Sequence, residues 1–456
     1  MILILVLFFV PGLSVFPISV GGLPSGNDSN PKTIDKPVAC LEAECLLPCN
    51  LRKNSELAKP VKIIVGAGTC HSRQSKSFVK FLNNHLAFAA KQYLLMANAL
   101  SKETAQFPRT YSKDGVFETC GAESWTSGFF PGSLWYLFEE TGNDVLKKYA
   151  EQFTSYLEYL QYSTTNHDIG WIINSSVQNG YQFTQNENYK NIVVQTAKSL
   201  IHRFNPTVGC IRCWDESKWI KELGFDFPVN IDNMMNLELL MKAFKFSGDS
   251  TFREIAVQHA DNTIKNQFRT DFSSYHVVNF NSHTGEVKNK KTVQGYSDES
   301  SWARGQAWGL YGFTMMYRET GLIHYLTQAV NIANFLTTHM NFPEDKIPFW
   351  DFDSPDIPNT NRDASAGAIM CSALVELSGY VDKEQSSKYL SIASQQLINL
   401  SSEFYRAALG TNGNFILKHA VGSLPANYEV DVPVSYADYY YIEALIRYRK
   451  LLNGKY

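Results

Sequence analysis

From Ser77 to the end of the chain, apolar residues recur at helical spacing and one phrase repeats. An apolar helix ends in a small residue and a glycine, and a second amphipathic helix follows at once. The phrase is found at 134–140, Thr141-Gly142, 143–160, and again at 237–246, Ser247-Gly248, 249–264. It returns at 310–319, Thr320-Gly321, 322–340 and at 373–377, Ser378-Gly379, 380–400. A glycine just past a helix supplies a left-handed cap, and so short a turn folds two helices into an antiparallel hairpin. The first helix of each pair is apolar nearly all round, as in Met234-Met235-Asn236-Leu237-Glu238-Leu239-Leu240. The second is one-sided. An all-round apolar helix is buried and a one-sided helix covers it. The pattern predicts an all-α fold, an (α/α)6 double-layered barrel of hairpin units roughly sixty residues long. A three-layer solenoid competes with it. The barrel is favoured because chemically capable side chains gather where the inner helices begin, at one mouth. One segment breaks the helical period: 275–280 and 286–293 alternate about His283-Thr284-Gly285 and predict a small β-hairpin at that mouth.

The chain of 456 residues divides into a leader at 1–20, an irregular Cys- and Pro-rich extension at 21–76, and the barrel at 77–456. Ile2 to Val10 is almost wholly apolar, with small residues near Gly12 and Ser14, and reads as a secretory signal peptide ending about Val20. It is too short to span a bilayer and no later stretch qualifies, so no membrane partner is expected. Sequons at Asn27, Asn174 and Asn399 fit a secreted, extracellular product. Eight cysteines in an oxidising compartment point to disulfides of unassigned pairing. Cys210-Ile-Arg-Cys213 has metal-site spacing, but no second pair accompanies it, which argues against zinc. A net charge of −3 and the lack of a basic stripe with interleaved aromatics exclude a nucleic-acid binder. Aromatics at 13% supply a core and also what a sugar cleft needs. The oligomeric state is not legible.

The most informative run is Ser300-Ser301-Trp302-Ala303-Arg304-Gly305-Gln306-Ala307-Trp308-Gly309. Arginine keeps its charge, and burying it without an anion is costly. Something negative must meet Arg304, either a protein carboxylate or an acidic ligand. If 302–316 is helical, Arg304 and Trp308 share a face, while Gly305, Gly309 and Gly312 form a smooth stripe for close packing. Two carboxylates, Asp168 and Asp232, stand in apolar runs at helix entrances. Either alone is an ordinary helix cap. Desolvation by Ile231, Met234 and Met235 also suits Asp232 to general-acid chemistry. Trp125 and Trp214 are candidate plates, and His276 and Gln294 flank the hairpin. Lys288, Lys290 and Lys291 crowd it, as a solvated edge or as an anion contact. No phosphate loop, nucleophile elbow or His-x-x-x-His pair is present, and nothing calls for a metal or organic cofactor.

These segments, in this order, resemble the unsaturated glucuronyl hydrolases, glycoside hydrolase family 88, over about residues 80–450. The resemblance rests on Trp125-Thr126-Ser127-Gly128-Phe129, His167-Asp168-Ile169-Gly170, Ile211-Arg212-Cys213-Trp214-Asp215 and Ile231-Asp232-Asn233-Met234-Met235-Asn236. Trp302-Ala303-Arg304-Gly305-Gln306-Ala307-Trp308 is its most specific part, and Asp438-Tyr439-Tyr440 completes it. It implies an (α/α)6 barrel acting on lyase-generated oligosaccharides that end in a 4,5-unsaturated uronic acid. It implies Asp232 as general acid and base and Asp168 as the second aspartate, positioning the uronate. Trp125, Trp214, Trp302 and Trp308 match aromatic positions around the subsites. His276, Gln294 and Arg304 match polar positions that contact the unsaturated sugar, and Tyr436 is a further substrate contact. Cys210 and Cys213 depart from the family pattern, and a disulfide between them is expected to stiffen the loop of Trp214. Ser127 replaces an acidic or polar residue, which points to an altered neighbouring subsite. The rival readings are an unsaturated rhamnogalacturonyl hydrolase of the same fold and a non-catalytic carbohydrate-binding barrel.

Overall fold

The computed structural model describes residues 71–454. The expected leader, the extension up to residue 70, the sequon at Asn27, and Cys40, Cys45, Cys49 and Cys70 lie outside the described residues. The first helix starts at His71, a little ahead of the expected boundary.

Outer and inner helices alternate along the chain. Outer α1 (His71–Leu100) leads to inner α2 (Phe129–Thr141), and outer α3 (Asp144–Ser155) to inner α4 (Ile169–Ile173), which continues through a π-helical turn at Asn174–Gln178 and through Asn179–Thr184. Outer α5 (Glu187–Ile201) is followed by a short helix α6 (Lys218–Glu222) and by inner α7 (Leu237–Ser247), entered through a 3-10 turn at Ile231–Asn236. Outer α8 (Ser250–Gln267) precedes inner α9 (Ala303–Thr320), outer α10 (Ile323–Thr338) precedes inner α11 (Ala364–Leu377), and outer α12 (Lys383–Leu400) precedes inner α13 (Ser435–Leu452). Six inner helices inside six outer ones make the expected (α/α)6 barrel. Burial follows the pattern read from the sequence. Every residue of α11 is buried, whereas α12 buries only Tyr389, Ala393, Gln396, Leu397 and Leu400 along one stripe.

The ring is closed by its last helix, which packs on both α1 and α2. Tyr93 donates to Asp438 Oδ2 at 3.2 Å and Gln92 Nε2 donates to the Phe415 carbonyl at 3.1 Å, so contacts more than three hundred residues apart seal the seam. Three of the expected glycine caps are left-handed, at Gly142, Gly248 and Gly321 (φ 65, 76 and 70°). The fourth is not. Helix α11 ends at Ser378 in right-handed geometry, where the Ser378 N–H is satisfied by Leu374 and Glu376 carbonyls, so Gly379 is not needed as a left-handed residue.

The expected hairpin forms as β6 (Val277–Phe280) against β7 (Val287–Lys291), and β5 (Phe227–Asn230) joins it as a third antiparallel strand. Three more strand pairs were not expected: β1 (Phe107–Tyr111) with β2 (Phe117–Cys120), β3 (Phe204–Asn205) with β4 (Cys210–Ile211), and β8 (Ala420–Ser423) with β9 (Tyr428–Val432). For the four described cysteines the disulfide expectation, the Cys210–Cys213 bridge included, is corrected. Cys120, Cys210, Cys213 and Cys371 are free and buried. Instead of a bridge to Cys210, the Cys213 thiol donates to the Pro228 carbonyl at 3.0 Å. Neither described sequon presents a free amide: Asn174 Nδ2 donates to Glu238 and Asn399 Nδ2 to the Asp345 carbonyl. Among the described residues no helix is long and apolar enough to cross a membrane.

Candidate active site

Because every second helix is inner, all six inner helices begin at the same mouth. Their first residues bring together Trp125 before α2, Asp168 before α4, Asp232 in the turn before α7, Trp302 and Arg304 at α9, and Tyr436 at α13. Asp232 is aimed by two devices. Strand β5 pairs with β6 so that Asn230 faces Val277, and the Ile231 N–H donates to the His276 carbonyl at 2.9 Å. Helix α9 then lets the following turn lie against it. A Cβ on Gly312 would sit 2.6 Å from Met234 Cβ, and one on Gly305 would sit 3.2 Å from Ile231 Cγ2. Two members of the glycine stripe read from the sequence, Gly305 and Gly312, receive the Asp232 turn, whereas Gly309 faces Phe268 and Ile332.

An amide chain ties this turn to the segment of Asp168. Asn233 Nδ2 donates to the Ile211 carbonyl at 2.7 Å, Asn236 Nδ2 donates to Asn233 Oδ1 at 3.1 Å, and Asn236 Oδ1 accepts from the Trp171 N–H at 2.7 Å. Asp168 stands at the N-cap of α4 but makes no capping hydrogen bond, and Asp232 lies inside the 3-10 turn, whose cap position is Asn230. Their carboxylates are only 17% and 14% exposed for Asp168 and Asp232, enough to be reached and too little to be well solvated.

That environment keeps both acids protonated far above the usual range. Burial pushes Asp232 up to about 6, against the opposing pull of Arg304 and a contribution from Trp308. Burial and then the Asp232 charge push Asp168 up to about 7, opposed by Asn236 and Arg203. Two interacting acids titrate as a pair, so the mouth holds a transferable proton near neutrality. His276 is buried and stays neutral, its pKa lowered to about 3 by burial and then by Arg304. Its Nδ1 accepts from the Val293 and Gln294 N–H groups at 3.1 and 3.3 Å. The proton is therefore on Nε2, 3.6 Å from Asp232 Oδ2. His167 stands likewise beside Asp168, Nε2 to Oδ1 3.2 Å, and burial lowers it to about 3.

Arg304 meets a protein carboxylate. Its Nη1 pairs with Asp363 Oδ2 at 3.2 Å and also donates to the Val421 carbonyl, while Nη2 donates to the Gly422 carbonyl at 2.6 Å. The guanidinium lies 4.6 Å from the Trp302 ring and 5.3 Å from the Tyr436 ring. Gln294 Nε2 donates to the same Gly422 carbonyl at 3.1 Å. Trp302 is buried against His276, ring centroids 4.5 Å apart. Trp125 and Trp214 are half-buried, as plates require. Trp308 differs: it is fully buried against Trp171 and Tyr440, so it borders Asp232 from below and offers no open plate. Ser127 is also turned away, its hydroxyl donating to the Ala122 carbonyl at 2.7 Å.

Five polar atoms here are buried without a protein partner: Asp232 Oδ2, His276 Nε2, Arg304 Nε, Trp308 Nε1 and Tyr436 Oη. Trp308 is close enough to favour the ionised Asp232, yet its N–H completes no hydrogen bond. Unsatisfied buried groups are rare and costly, and several around one raised-pKa acid mark a place for a polar ligand and a proton transfer. Among the described residues no group of three or more His, Cys, Asp or Glu side chains is placed to hold a metal ion. Sequence reasoning missed His167, Trp171, Asp363 and the β8–β9 carbonyls. Asp363 had a signal: it precedes Ala364-Ser365 at the start of an apolar helix, and its Oδ1 caps Ser365 N at 2.9 Å.

Residues 99–450 match the family described as Glycosyl Hydrolase Family 88. An unsaturated glucuronyl hydrolase of Formosa agariphila is 42% identical over 405 residues, covering 88% of this chain and 96% of that protein. An unsaturated chondroitin disaccharide hydrolase of Streptococcus agalactiae serotype III is 30% identical over 352 residues, 76% of this chain and 86% of that one. The crystal structure of an unsaturated glucuronyl hydrolase specific for heparin superposes with a TM-score of 0.78 at 42% identity, covering 82% of this chain and 98% of that chain.

Proposed function

The chain belongs to glycosyl hydrolase family 88, and we propose on that footing that Asp232 is its proton donor and that its substrates are glycosaminoglycan fragments ending in a 4,5-unsaturated uronate. The enzyme is a glycosidase of the unsaturated glucuronyl hydrolase type. The observation that carries the assignment of Asp232 is its raised pKa of about 6 in a cluster of unpartnered donors, His276 Nε2 at 3.6 Å among them. Protonated Asp232 gives its proton to C4, the C4=C5 electron pair forms the new C–H bond, and the positive charge is shared by C5 and the ring oxygen. Water adds to C5 and returns its proton to the Asp232 carboxylate. The hemiketal opens by breaking the C5–O5 bond, and the hemiacetal left at C1 releases the remaining sugar as an alcohol. Asp168 positions the uronate and, by its own charge state, sets the proton affinity of Asp232. Trp125 and Trp214 offer apolar surface to the sugar rings, the buried Trp302 backs His276, and Gln294 and the unpartnered Tyr436 hydroxyl offer hydrogen bonds.

The choice of glycosaminoglycan fragments is supported by the relatives, one named for chondroitin disaccharide and one described as specific for heparin. The apolar leader is proposed to direct export, which N-terminal sequencing of protein recovered from the medium tests. The decisive assay follows loss of far-ultraviolet absorbance of the C4=C5 bond in unsaturated chondroitin, hyaluronan and heparin disaccharides. Wild type is expected to bleach at least one of them and Asp232→Asn none. Turnover by Asp232→Asn at the wild-type rate removes the mechanism.

A further inference from the structure

An aromatic path leaves the mouth beyond the residues assigned above. It starts at His167, beside Asp168, whose ring centre is 6.5 Å from that of Trp214. Trp214 in turn meets Trp219 at 5.1 Å with the rings inclined by 60°. Trp214 is half-buried and Trp219 is 42% exposed, so the two indoles together present a continuous aromatic surface to solvent. The segment that holds it out is firmly built. Arg203 pairs with both oxygens of Asp215, Nη2 to Oδ1 2.8 Å and Nη1 to Oδ2 3.1 Å, and donates to the Cys213 carbonyl at 3.1 Å, so the chain is pinned on both sides of Trp214. Ser217 caps α6, and Ile220 from that helix is buried with Phe225 and with Val277, the residue after His276. Helix α6 thus rests on the same sheet that orients His276 toward Asp232, and Trp219 projects from it. Lys218 and Lys221 flank the indole, each paired with an exposed glutamate, Glu222 at 3.9 Å and Glu216 at 3.3 Å.

We propose that Trp219 is a distal sugar-binding residue that takes a pyranose ring beyond the one against Trp214, so that the enzyme prefers unsaturated oligosaccharides longer than a disaccharide. This rests on the functional reading given above. The occupant follows from continuity. A chain whose unsaturated end lies at Asp232 and whose next sugar lies against Trp214 runs outward along this path, and the apolar face of a pyranose packs on indole.

The experiment compares an unsaturated disaccharide with an unsaturated tetrasaccharide from partial lyase digestion of the same glycosaminoglycan, by loss of double-bond absorbance. Trp219→Ala is expected to raise KM for the tetrasaccharide about tenfold, the size of one lost aromatic contact, with kcat unchanged. Its disaccharide kinetics are expected to equal wild type, and Trp219→Tyr to retain most of the preference. An unchanged tetrasaccharide-to-disaccharide ratio in Trp219→Ala overturns the proposal. So does an equal loss on both substrates, which makes Trp219 a prop for Trp214. If wild type consumes neither substrate, the functional reading fails and this proposal with it.

Discussion

The two ends of the barrel lumen hold similar side chains in opposite condition. At the far end Arg318 donates to Glu376 at 2.9 and 3.0 Å, to Glu238 at 2.5 Å and to Glu319 at 3.0 Å. Arg447 pairs with the same Glu376 at 2.7 Å, and Lys242 and Lys245 complete Glu319 at 3.1 and 2.6 Å. Glu238, Lys242, Arg318, Glu376 and Arg447 border a cavity of about 260 Å³. Burial there opposes ionisation, but the surrounding cations outweigh it and hold Glu319 and Glu376 below the usual carboxylate range. At the mouth the balance is reversed: burial wins, and Asp168 and Asp232 are raised to about 7 and about 6. A buried charge, or a cavity, is therefore not a sign of chemistry by itself. What distinguishes the mouth is convergence of groups left incomplete. Trp171 and Tyr440, joined by an indole-to-hydroxyl hydrogen bond of 3.1 Å, border the far cavity and pack edge-to-face against Trp308, which borders Asp232.

The sharpest way to break this contrast is to neutralise one acid at each end. Asp232→Asn is expected to cost about 10³-fold or more in kcat, the scale of a lost general acid, while Glu376→Gln leaves kcat/KM of the folded protein near wild type. Equal losses of turnover erase the distinction. The stability effects are expected to run the other way. Breaking the far-end network with Glu376→Gln should lower unfolding free energy by about 3–5 kcal/mol, because Arg318 and Arg447 are left undercompensated; urea denaturation measures this. Asp232→Asn should raise stability by about 1–3 kcal/mol at pH 8. The sign follows from a folded pKa raised from 3.8 to about 6: the folded state binds the extra proton, so wild type loses stability as pH rises through that window. Below pH 4 the advantage of the Asn variant should vanish.

The smallest effect concerns Asp363. The groups facing Asp232 are Asp168, His276, Trp308 and Arg304, and of these Arg304 alone carries a fixed positive charge, shared with Asp363 and felt by Glu429 and Tyr436. In Asp363→Asn the cation is less neutralised and pulls harder on Asp232. The basic limb of the pH–rate profile, where the donor loses its proton, should move down by about half to one unit. A limb that stays in place in a folded, active Asp363→Asn means Asp363 acts only as cap and tether.

Local signals were read well from the sequence and distant ones were not. Repeated apolar stretches and their glycine caps disclosed the helical hairpins, because burial and left-handed turns are properties of neighbouring residues. Gly379 misled because a helix can also end without a left-handed residue when its last N–H finds a carbonyl in the preceding turn. The choice for Asp168 and Asp232 between cap and acid was open in sequence and is narrowed by geometry, since Asp168 makes no capping hydrogen bond and Asp232 is not at a cap position. The partner of Arg304 was out of reach: Asp363 lies 59 positions away, and the Val421 and Gly422 carbonyls 117 and 118. Strands β8 and β9 were hidden because His419, Asn427, Glu429 and Asp431 take left-handed φ between 48 and 62° without glycine, a conformation no local propensity announces.

The seam between α13 and the first two helices has a consequence for how the enzyme comes into being. During synthesis Asp168 and Asp232 emerge while Asp363, the β8–β9 carbonyls and Tyr436 are still unmade. The N-terminal part of the ring must wait with its inner faces uncovered until the last helix arrives to shut it. If Asp232 is the proton donor, its mouth is complete only once α13 has docked on α1 and α2, and turnover becomes a report that the circle has closed.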